Sequence, residues 1–456
     1  MILQIPTIRF LRIFHSRILN KTILKIAVPS SFGMISQTAV MITDTAMVGS
    51  LGVTEQAATG LGGMIFWTLI SFLFGGSIGI QIIAARRIGE NNRFSAGLIL
   101  TTGLIFFSIF GAILAITGYI FSPFLITVLT NKAEILELAV PFLQIRFLGI
   151  IFYLLNAVFA GFYDATGKTY ISMSSSIAIA LSNIILNWIM IFGNAGAPAL
   201  GVKGAALASS IAGLAGFSIL IIFIFQKSFR PFFQKDTRRF KSSVLQEILK
   251  IGFAPAMEGF FMHLAFLMFY RLAANISTVS VAATNIVVSI MSISFMPGYA
   301  FGIAATTLMG QAMGAKKFKL AEFAVKRSVN YASMLMGSLG INFIIFRRQI
   351  ISFFTEDPDV MNEAVTALII VSLAQVGDAY QLVMSSALRG AGLVNWVLRI
   401  NASVSFLIML PAAYFAGITL GFGTAGLWSS VFIWLICLGL LFNYKFKKGD
   451  WKKGVV

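Results

Sequence analysis

Three acidic residues, Asp44, Glu258 and Asp378, lie inside long apolar stretches of this sequence, whereas its other acids lie near the ends of such stretches. A carboxylate at the centre of a membrane helix costs at least about 2.5 kcal/mol, so such residues usually serve a function. Each could take up a proton or coordinate Na⁺ through its oxygens. We therefore predict that the chemistry of this protein centres on these three acids.

Asp44 lies some twenty residues into its apolar stretch, which predicts a position in the outer part of a bilayer, with Gln37 about two turns before it. Asn183 and Asn187 lie four residues apart and so share one face of another helix. Their amides could bond a neighbouring carboxylate or offer carbonyl oxygens to an ion. The alternatives are an interfacial position for Asp44 and a purely structural role, as polar contacts between helices, for the two asparagines.

Glu258 and Asp378 lie in two stretches of the second half of the chain. We expect them to converge on one coupling ion, H⁺ or Na⁺, with mutual repulsion favouring protonation of one of them. His263 and Tyr380 are predicted supporting polar groups. In the alternative, each acid pairs with a structural partner such as His263 or Arg271.

No catalytic constellation or metal-ligand cluster appears in the loops, so the sequence predicts neither an enzyme nor a bound cofactor. The single cysteine, Cys437, excludes a disulfide framework. Asp164 and Arg389 occupy matching places at the ends of two apolar stretches, where turn and helix-end chemistry is the expected explanation for both.

The elements that must position these residues are membrane spans. The chain has 456 residues, 58% of them hydrophobic and 11% charged, and its mean hydropathy is +0.90. Stretches of about 20 apolar residues can cross about 30 Å of hydrocarbon. Twelve such spans are predicted, near 24–46, 57–83, 96–120, 135–160, 170–193, 201–226, 248–272, 281–307, 325–346, 363–388, 396–416 and 424–444.

The loop charges support this count, because alternate loops and the two termini hold 28 of the 34 Lys and Arg residues. Both termini are therefore predicted to be cytoplasmic. The net charge of +18 follows from these short basic loops, so it does not predict a nucleic-acid partner. The basic N-terminal residues lack a small-residue cleavage site and are predicted to form an amphipathic lead-in rather than a signal peptide.

The two halves of the chain also resemble each other, with matched Pro and Gly positions. The matched pairs are 24–29 with 250–255, 80–89 with 304–314, and 201–209 with 423–430. Because each half has six spans, the halves are predicted to be parallel repeats that enclose a central cavity. The predicted units are a lead-in 1–23, an N-lobe 24–226, a basic linker 227–247, a C-lobe 248–445 and a tail 446–456. The predicted fold is all-α.

At residues 42–52, 201–206 and 388–392 the sequence resembles the multidrug and toxic compound extrusion (MATE) family, and the resemblance extends over about 22–445. The resemblance implies two six-helix lobes around a V-shaped cavity. Asp44 falls on the family's N-lobe acid, and Glu258 and Asp378 fall on the C-lobe acids of its NorM-like branch. In the branch of the family that places its proton or ion site in the N-lobe, a second acid occurs in span five, and this chain has Asn187 at that position. The difference shifts the expected coupling site towards Glu258 and Asp378, although Asp44 with Asn183 and Asn187 could still bind an ion.

The resemblance implies a secondary antiporter that exports organic cations, drugs or other xenobiotics in exchange for Na⁺ or H⁺ by alternating access. It implies a monomer in the plasma (inner) membrane, whose partners are small amphipathic cations and membrane lipids. The nearest alternative is a flippase for a lipid-linked oligosaccharide, which would need a cavity lined with Arg and Lys. A passive channel, which lacks ion coupling, and a membrane-embedded enzyme are further alternatives.

Overall fold

The computed structural model describes residues 11–234, 237 and 239–453, with side chains from Arg17 onwards. The helices of the first half are α1 Leu11–Gly49, α2 Val53–Gly89, α3 Arg93–Thr127, α4 Ala133–Leu148, α5 Ile150–Ala165, α6 Thr169–Phe192 and α7 Gly201–Ile224. Those of the second half are α8 Ser242–Ile276, α9 Thr278–Gly314, α10 Phe318–Ile345, α11 Arg347–Ser352, α12 Pro358–Gly390, α13 Val394–Val404, α14 Leu410–Tyr414 and α15 Gly423–Lys448.

These helices supply the twelve predicted spans. Eleven are continuous by length and hydropathy, including 394–419, in which two π-helical segments, Ser405–Met409 and Phe415–Thr419, flank α14. The twelfth is the pair α4 and α5, which bends by 44° at Gly149. A side chain at Gly149 would overlap Ser210 of α7, so the absence of a Cβ lets α7 approach the bend.

Helix boundaries differ from the predicted units at both lobes. The helix α1 has already begun at Leu11, inside the predicted lead-in, and α8 begins at Ser242, inside the predicted linker. Residues 1–10 of the lead-in lie outside the described part of the chain. The prolines that mark the repeat, Pro29 and Pro255, lie inside α1 and α8, where each removes one backbone donor from a long helix.

The repeat is visible in matched turns. The turn after α5 has Gly167 at φ +75°, and the turn after α12 has Gly392 at φ +92°, a region of backbone conformation that favours glycine. The amide of Lys168 donates to the Tyr163 carbonyl at 3.2 Å, and the amide of Leu393 donates to the Leu388 carbonyl at 3.0 Å. The two halves therefore fold alike, as their sequences predict.

The lobes meet across a pseudo-two-fold contact between α2 and α9. A side chain at Gly89 would overlap the carbonyl of Gln311, and one at Gly314 would overlap the carbonyl of Arg86. Because the repeat matches Arg86 with Gln311 and Gly89 with Gly314, the same contact occurs on both sides of the axis. Close backbone approach through glycine therefore brings the lobes together here.

We call the end of the molecule that carries the basic loops the basic end. Within the described ranges, hydrogen bonds between the lobes involve residues from the basic-end halves of their helices. They are Gln81 Nε2 to Thr307 Oγ1 at 3.0 Å and to the Ile303 carbonyl at 3.3 Å, Thr307 Oγ1 to the Asp164 carbonyl at 2.9 Å, Gln311 Nε2 to the Ala165 carbonyl at 2.7 Å, and Arg87 to Glu247 at 3.1 Å. The lobes are thus joined at the basic end.

Candidate functional site

In the N-lobe, Asp44 of α1 lies at the end of a chain of neutral polar groups from two other helices, α6 and α7. The Asn187 amide donates to Asp44 Oδ1 and also to Asn183 Oδ1, at 3.1 Å for the latter contact. Asn183 in turn donates to Ser209 Oγ on α7 at 3.2 Å. The i,i+4 spacing on α6 predicts this shared face, and the structure confirms that the amides reach a carboxylate.

This carboxylate has no ion-pair partner within 4.0 Å in the described part of the chain. The Arg146 guanidinium is close enough for an electrostatic interaction with Asp44. Arg146 lies instead over the Phe66 ring, 4.1 Å from its centroid, and donates to the Tyr153 hydroxyl at 3.1 Å. The carbonyl oxygen of the fully buried Asn187 accepts no hydrogen bond from the residues that the structure describes. The site therefore presents carboxylate and amide oxygens with unused capacity.

In the C-lobe, Glu258 has a cationic partner. Arg389 Nη1 lies 2.8 and 2.9 Å from the two carboxylate oxygens, and Asn401 Nδ2 donates to Oε1 at 2.5 Å. Arg389 Nη2 also donates to Ser386 Oγ at 3.0 Å. Arg389 is 9% exposed, so its explanation by helix-end chemistry was wrong: it is the buried counter-charge of Glu258, because α8 and α13 pack over the end of α12.

Asp378 is separate from this ion pair. It is buried, at 5% exposed, and its carboxylate has no hydrogen-bond or ion-pair partner within the described residues. It precedes Arg389 by eleven residues on α12, which is about 16 Å along the axis. The structure thus pairs Glu258 with Arg389 rather than bringing it together with Asp378 as expected. The ion-coupling roles of both acids stay predictions.

The predicted supporting groups lie in different surroundings. Gln37 is exposed, and Tyr380 is half-buried. His263 is exposed and its Nδ1 bonds the Gly259 carbonyl of its own helix at 2.8 Å. Arg271 is exposed. Neither His263 nor Arg271 is the partner of Glu258, since Arg389 and Asn401 take that place.

Asp164 has a role at the lobe interface that helix-end chemistry does not describe. Its carboxylate is buried and accepts a hydrogen bond from Ser172 Oγ at 2.8 Å, while its carbonyl accepts the bond from Thr307 of the other lobe. The carboxylate therefore fixes the turn between α5 and α6, and this turn forms part of the closed basic end.

A coupling Na⁺ would be held by oxygens rather than by a cluster of acids. Among the described residues no group of three or more His, Cys, Asp or Glu side chains could hold a metal. Hard cations accept carboxylate, amide and hydroxyl oxygens as ligands. Asp44 with the unpaired Asn187 oxygen fits such an ion, and so does the corresponding unpaired oxygen of Asn401 beside Glu258.

Four members of these sites were not predicted from the sequence: Arg389, Asn401, Ser209 and Arg146. The role of Arg146 could have been predicted most easily, because an arginine in the middle of a predicted span needs a buried partner or an aromatic surface. Ser209 lies in one of the repeated segments but carries no distinguishing signal. Asn401 follows the basic loop that contains Arg399, so its sequence context indicated a span end rather than a buried site.

Two parallel six-helix lobes, each with buried carboxylates and closed against each other at one end, define a polytopic membrane transporter. A model of the MatE family matches residues 29–189 and again residues 255–415, one match in each lobe. The chain therefore belongs to the MatE family. Members of this family are transporters, which confirms that the chain is not an enzyme.

Curated relatives are similar over nearly their whole length. The chain is 28% identical over 443 residues to a probable multidrug resistance protein NorM of Thermotoga maritima, covering 96% of this chain and 94% of that protein. It is 26% identical over 435 residues to a probable multidrug resistance protein NorM of Bacillus subtilis, with 93% and 94% covered.

Solved structures share the fold. One is an outward-facing multidrug resistance MATE family transporter, with a TM-score of 0.88 and 22% identity, covering 95% of this chain and 97% of that one. Another is a variant of a MATE transporter of Vibrio cholerae, with a TM-score of 0.89 and 19% identity, covering 96% and 100%. These likenesses confirm the all-α, two-lobed fold.

Proposed function

We propose that this protein is a secondary active antiporter that exports organic cations, drugs or other xenobiotics in exchange for Na⁺ or H⁺. The relatives named as multidrug resistance proteins support the substrate class. The observation that carries the coupling is the Asp44 carboxylate, which is held by neutral amides and lacks an ion-pair partner.

Asp44 and Asp378 are the acids best placed to bind the coupling ion. Each has a carboxylate without an ion-pair partner, so an incoming cation gains a full charge interaction in a medium of low dielectric constant. Glu258 can bind an ion only if it releases Arg389. We therefore assign the first ion-binding role to Asp44 and Asp378, and to Glu258 a role that depends on opening of its ion pair.

The transport cycle follows from competition between ion and substrate. Within the described residues, the hydrogen bonds between the lobes lie at the basic end. We therefore infer that the ion enters from the opposite end, which the loop charges predict to be the outside. A cation bound from that side neutralises an acid that a cationic substrate needs, so binding of either ligand weakens binding of the other. The ion binds the outward- and inward-facing states with different affinities, and this difference shifts the equilibrium between the two states.

The same charge pattern sets the expected location and weighs against the flippase. The basic loops support a multi-pass protein of the plasma (inner) membrane with cytoplasmic termini. We propose that it acts as a monomer on small amphipathic cations, in contact with membrane lipids.

A flippase for an anionic lipid would need unpaired cations at cavity depth. Of the two buried arginines in the described part of the chain, Arg389 is neutralised by Glu258, and Arg146 lies on an aromatic ring and interacts electrostatically with Asp44.

The test uses purified protein in liposomes loaded with a fluorescent organic cation. We expect efflux under an imposed Na⁺ gradient or an imposed pH gradient, and the gradient that works identifies the ion. Neutralising Asp44, Glu258 and Asp378 singly, each as its amide, should lower ion-driven efflux for at least one acid. Full activity of all three variants would refute the proposed coupling, and counterflow without any gradient dependence would indicate a passive channel.

A further inference from the structure

A cavity of about 350 Å³ lies at the basic end between the two lobes, apart from the three acids. Its walls come from α1, from the start of α3, from the turn between α5 and α6 and from the linker after α7. The opposite wall is formed by the end of α9 and the start of α10. A ligand here would touch both lobes at once.

The polar part of the cavity is cationic. Arg93, Lys168 and Lys317 line it, each from a different connection between helices, and none of the described lining residues is acidic. The nearby acids are engaged elsewhere, since Glu90 and Glu247 both pair with Arg87. Among the described residues, no carboxylate forms an ion pair with Arg93 or Lys168, so these two side chains give the cavity a positive potential.

Lys168 shows the effect of this charge most directly. Its Nζ donates to Ser228 Oγ at 2.7 Å and lies 4.2 Å from the centroid of the Phe229 ring, so its partners are neutral. Burial lowers the pKa of Lys168, and the nearby cations Lys25 and Arg93 lower it further. A bound anion would remove this repulsion.

The backbone contributes to the same potential. Three helices begin at the cavity: α3 at Arg93, α6 just after Lys168 and α10 just after Lys317. Neither α6 nor α10 has a side-chain hydrogen bond at its N-cap. The positive ends of the helix dipoles add to the side-chain charges that line the cavity.

We propose that this cavity binds a phosphate-bearing anion that bridges the two lobes and favours the state in which the basic end is closed. Arg93 and Lys168 would make charge-assisted hydrogen bonds to the phosphate, and the Thr22 and Thr166 hydroxyls lie beside them. Apolar residues such as Leu320 complete the wall, so either an anionic phospholipid headgroup or free phosphate fits. This anion site is separate from the site proposed for transport, and its binding can be tested without measuring transport.

The binding test titrates the full chain in a neutral detergent with short-chain phosphatidylglycerol and, separately, with inorganic phosphate, while its melting temperature is followed. The cavity variant is Arg93→Gln with Lys168→Gln. The matched control is Lys326→Gln with Arg327→Gln, which removes two exposed cations of α10 that do not line the cavity. We expect about tenfold weaker binding by the cavity variant and unchanged binding by the control.

The two arms identify the source of the phosphate. Stabilisation by phosphatidylglycerol alone assigns the site to a lipid headgroup, and equal stabilisation by inorganic phosphate assigns it to a free anion. If both variants bind both probes as the unmodified protein does, or if neither probe binds that protein, the proposal is overturned.

A second measurement tests the bridging of the lobes. Spin labels at the exposed positions Lys227→Cys and Lys319→Cys, in a Cys437→Ser background, report the distance between the lobes at the basic end. The stabilising probe should increase the short-distance population, and this increase should be absent in the cavity variant. A shift towards long distances would overturn the proposed effect on conformation, whatever the transport activity.

Discussion

The acid sites of the two lobes are built alike but differ in charge balance. Asp44 in the N-lobe and Glu258 in the C-lobe each accept a hydrogen bond from a buried asparagine amide, Asn187 and Asn401, whose own carbonyl oxygen is unpaired. Glu258 also has an arginine partner, whereas Asp44 has only neutral ones. One lobe thus holds its carboxylate in an ion pair, and the other leaves a carboxylate free to bind a cation.

The two sites also differ in their position across the membrane. Asp44 lies five residues before the end of α1, away from the basic end. Glu258 pairs with Arg389, which is one residue from the end of α12 at the basic end. Of these two sites, Asp44, which has no ion pair, therefore lies away from the basic end, and the Glu258–Arg389 ion pair lies towards the end at which the lobes are joined. Asp378 of the C-lobe, which also has no ion-pair partner among the described residues, lies about 16 Å from Arg389 along α12.

The largest effect is expected from Arg389→Ala. This change leaves Glu258 as a buried carboxylate without its counter-charge, which should lower the free energy of unfolding by about 3–5 kcal/mol. Unfolding in lipid nanodiscs measures it, with the exposed Arg271→Ala as control. The double variant Glu258→Gln, Arg389→Met should recover most of the loss. A single variant as stable as the control would show that the ion pair does not distinguish the lobes.

The next effect tests the opposite lobe. Asp44→Asn keeps an oxygen acceptor for Asn187 but removes the charge, so we expect ion-driven efflux to fall about a hundredfold, which corresponds to about 2.7 kcal/mol. Stability should change by less than about 1 kcal/mol. Efflux from liposomes measures the first and thermal unfolding the second, with the exposed Glu134→Gln as control. Unchanged efflux in Asp44→Asn together with its loss in Glu258→Gln would reverse the assignment.

A matched pair of amide variants sharpens the difference. Asn187→Ala removes a hydrogen bond to Asp44, and we expect it to weaken binding of the coupling ion about tenfold, by about 1.5 kcal/mol. Asn401→Ala should have a smaller effect, because Glu258 keeps Arg389. Binding is measured by calorimetry with Na⁺ or by the pH dependence of substrate binding. Equal effects of the two variants would mean that Arg389 contributes nothing to holding Glu258.

The smallest effect is expected from a charge pair outside the membrane. Lys445 donates to Asp450 at 3.1 Å and lowers the pKa of that carboxyl below its ordinary value of 3.8. The stabilisation by this ion pair is therefore fully present above the ordinary pKa of 3.8, and it is lost only as the pH falls through the lowered pKa of Asp450. Lys445→Gln should leave the melting temperature nearly unchanged between pH 8 and 5. A loss of stability in Lys445→Gln as large as that in Arg389→Ala would show that burial does not explain the effect of Arg389→Ala.

Much of the fold could be predicted because membrane spans depend on local composition. The apolar stretches and the alternation of basic loops predicted twelve spans, and the matched Pro and Gly positions predicted the repeat. The helices α1 and α8 begin before the predicted lobe boundaries at 24 and 248, since polar and basic residues can continue a helix beyond the membrane. Only tertiary packing shows that α1 and α8 extend through them.

The candidate sites were predictable only where their groups share one helix. Asn183 and Asn187 were found together because their spacing is that of one helical face. The partners of Glu258 were not, since Arg389 and Asn401 lie far away in sequence and meet it only through the packing of α8, α12 and α13. Asp378 was predicted to lie inside a span, but its separation from Glu258 depends on where the helices α8 and α12 lie relative to each other.

The glycine contact at the lobe interface has a consequence for the ancestry of this chain. A two-fold contact is self-complementary, so two copies of one six-helix chain could form it without any linker. Gly89 and Gly314 occupy matching places in the repeat, and each lies against a backbone carbonyl of the other lobe, Gln311 and Arg86, which match as well. In a duplicated and fused gene, each half accumulates substitutions independently. Asymmetric acids such as Asp44 and Glu258 could therefore arise in a scaffold that retains its symmetry.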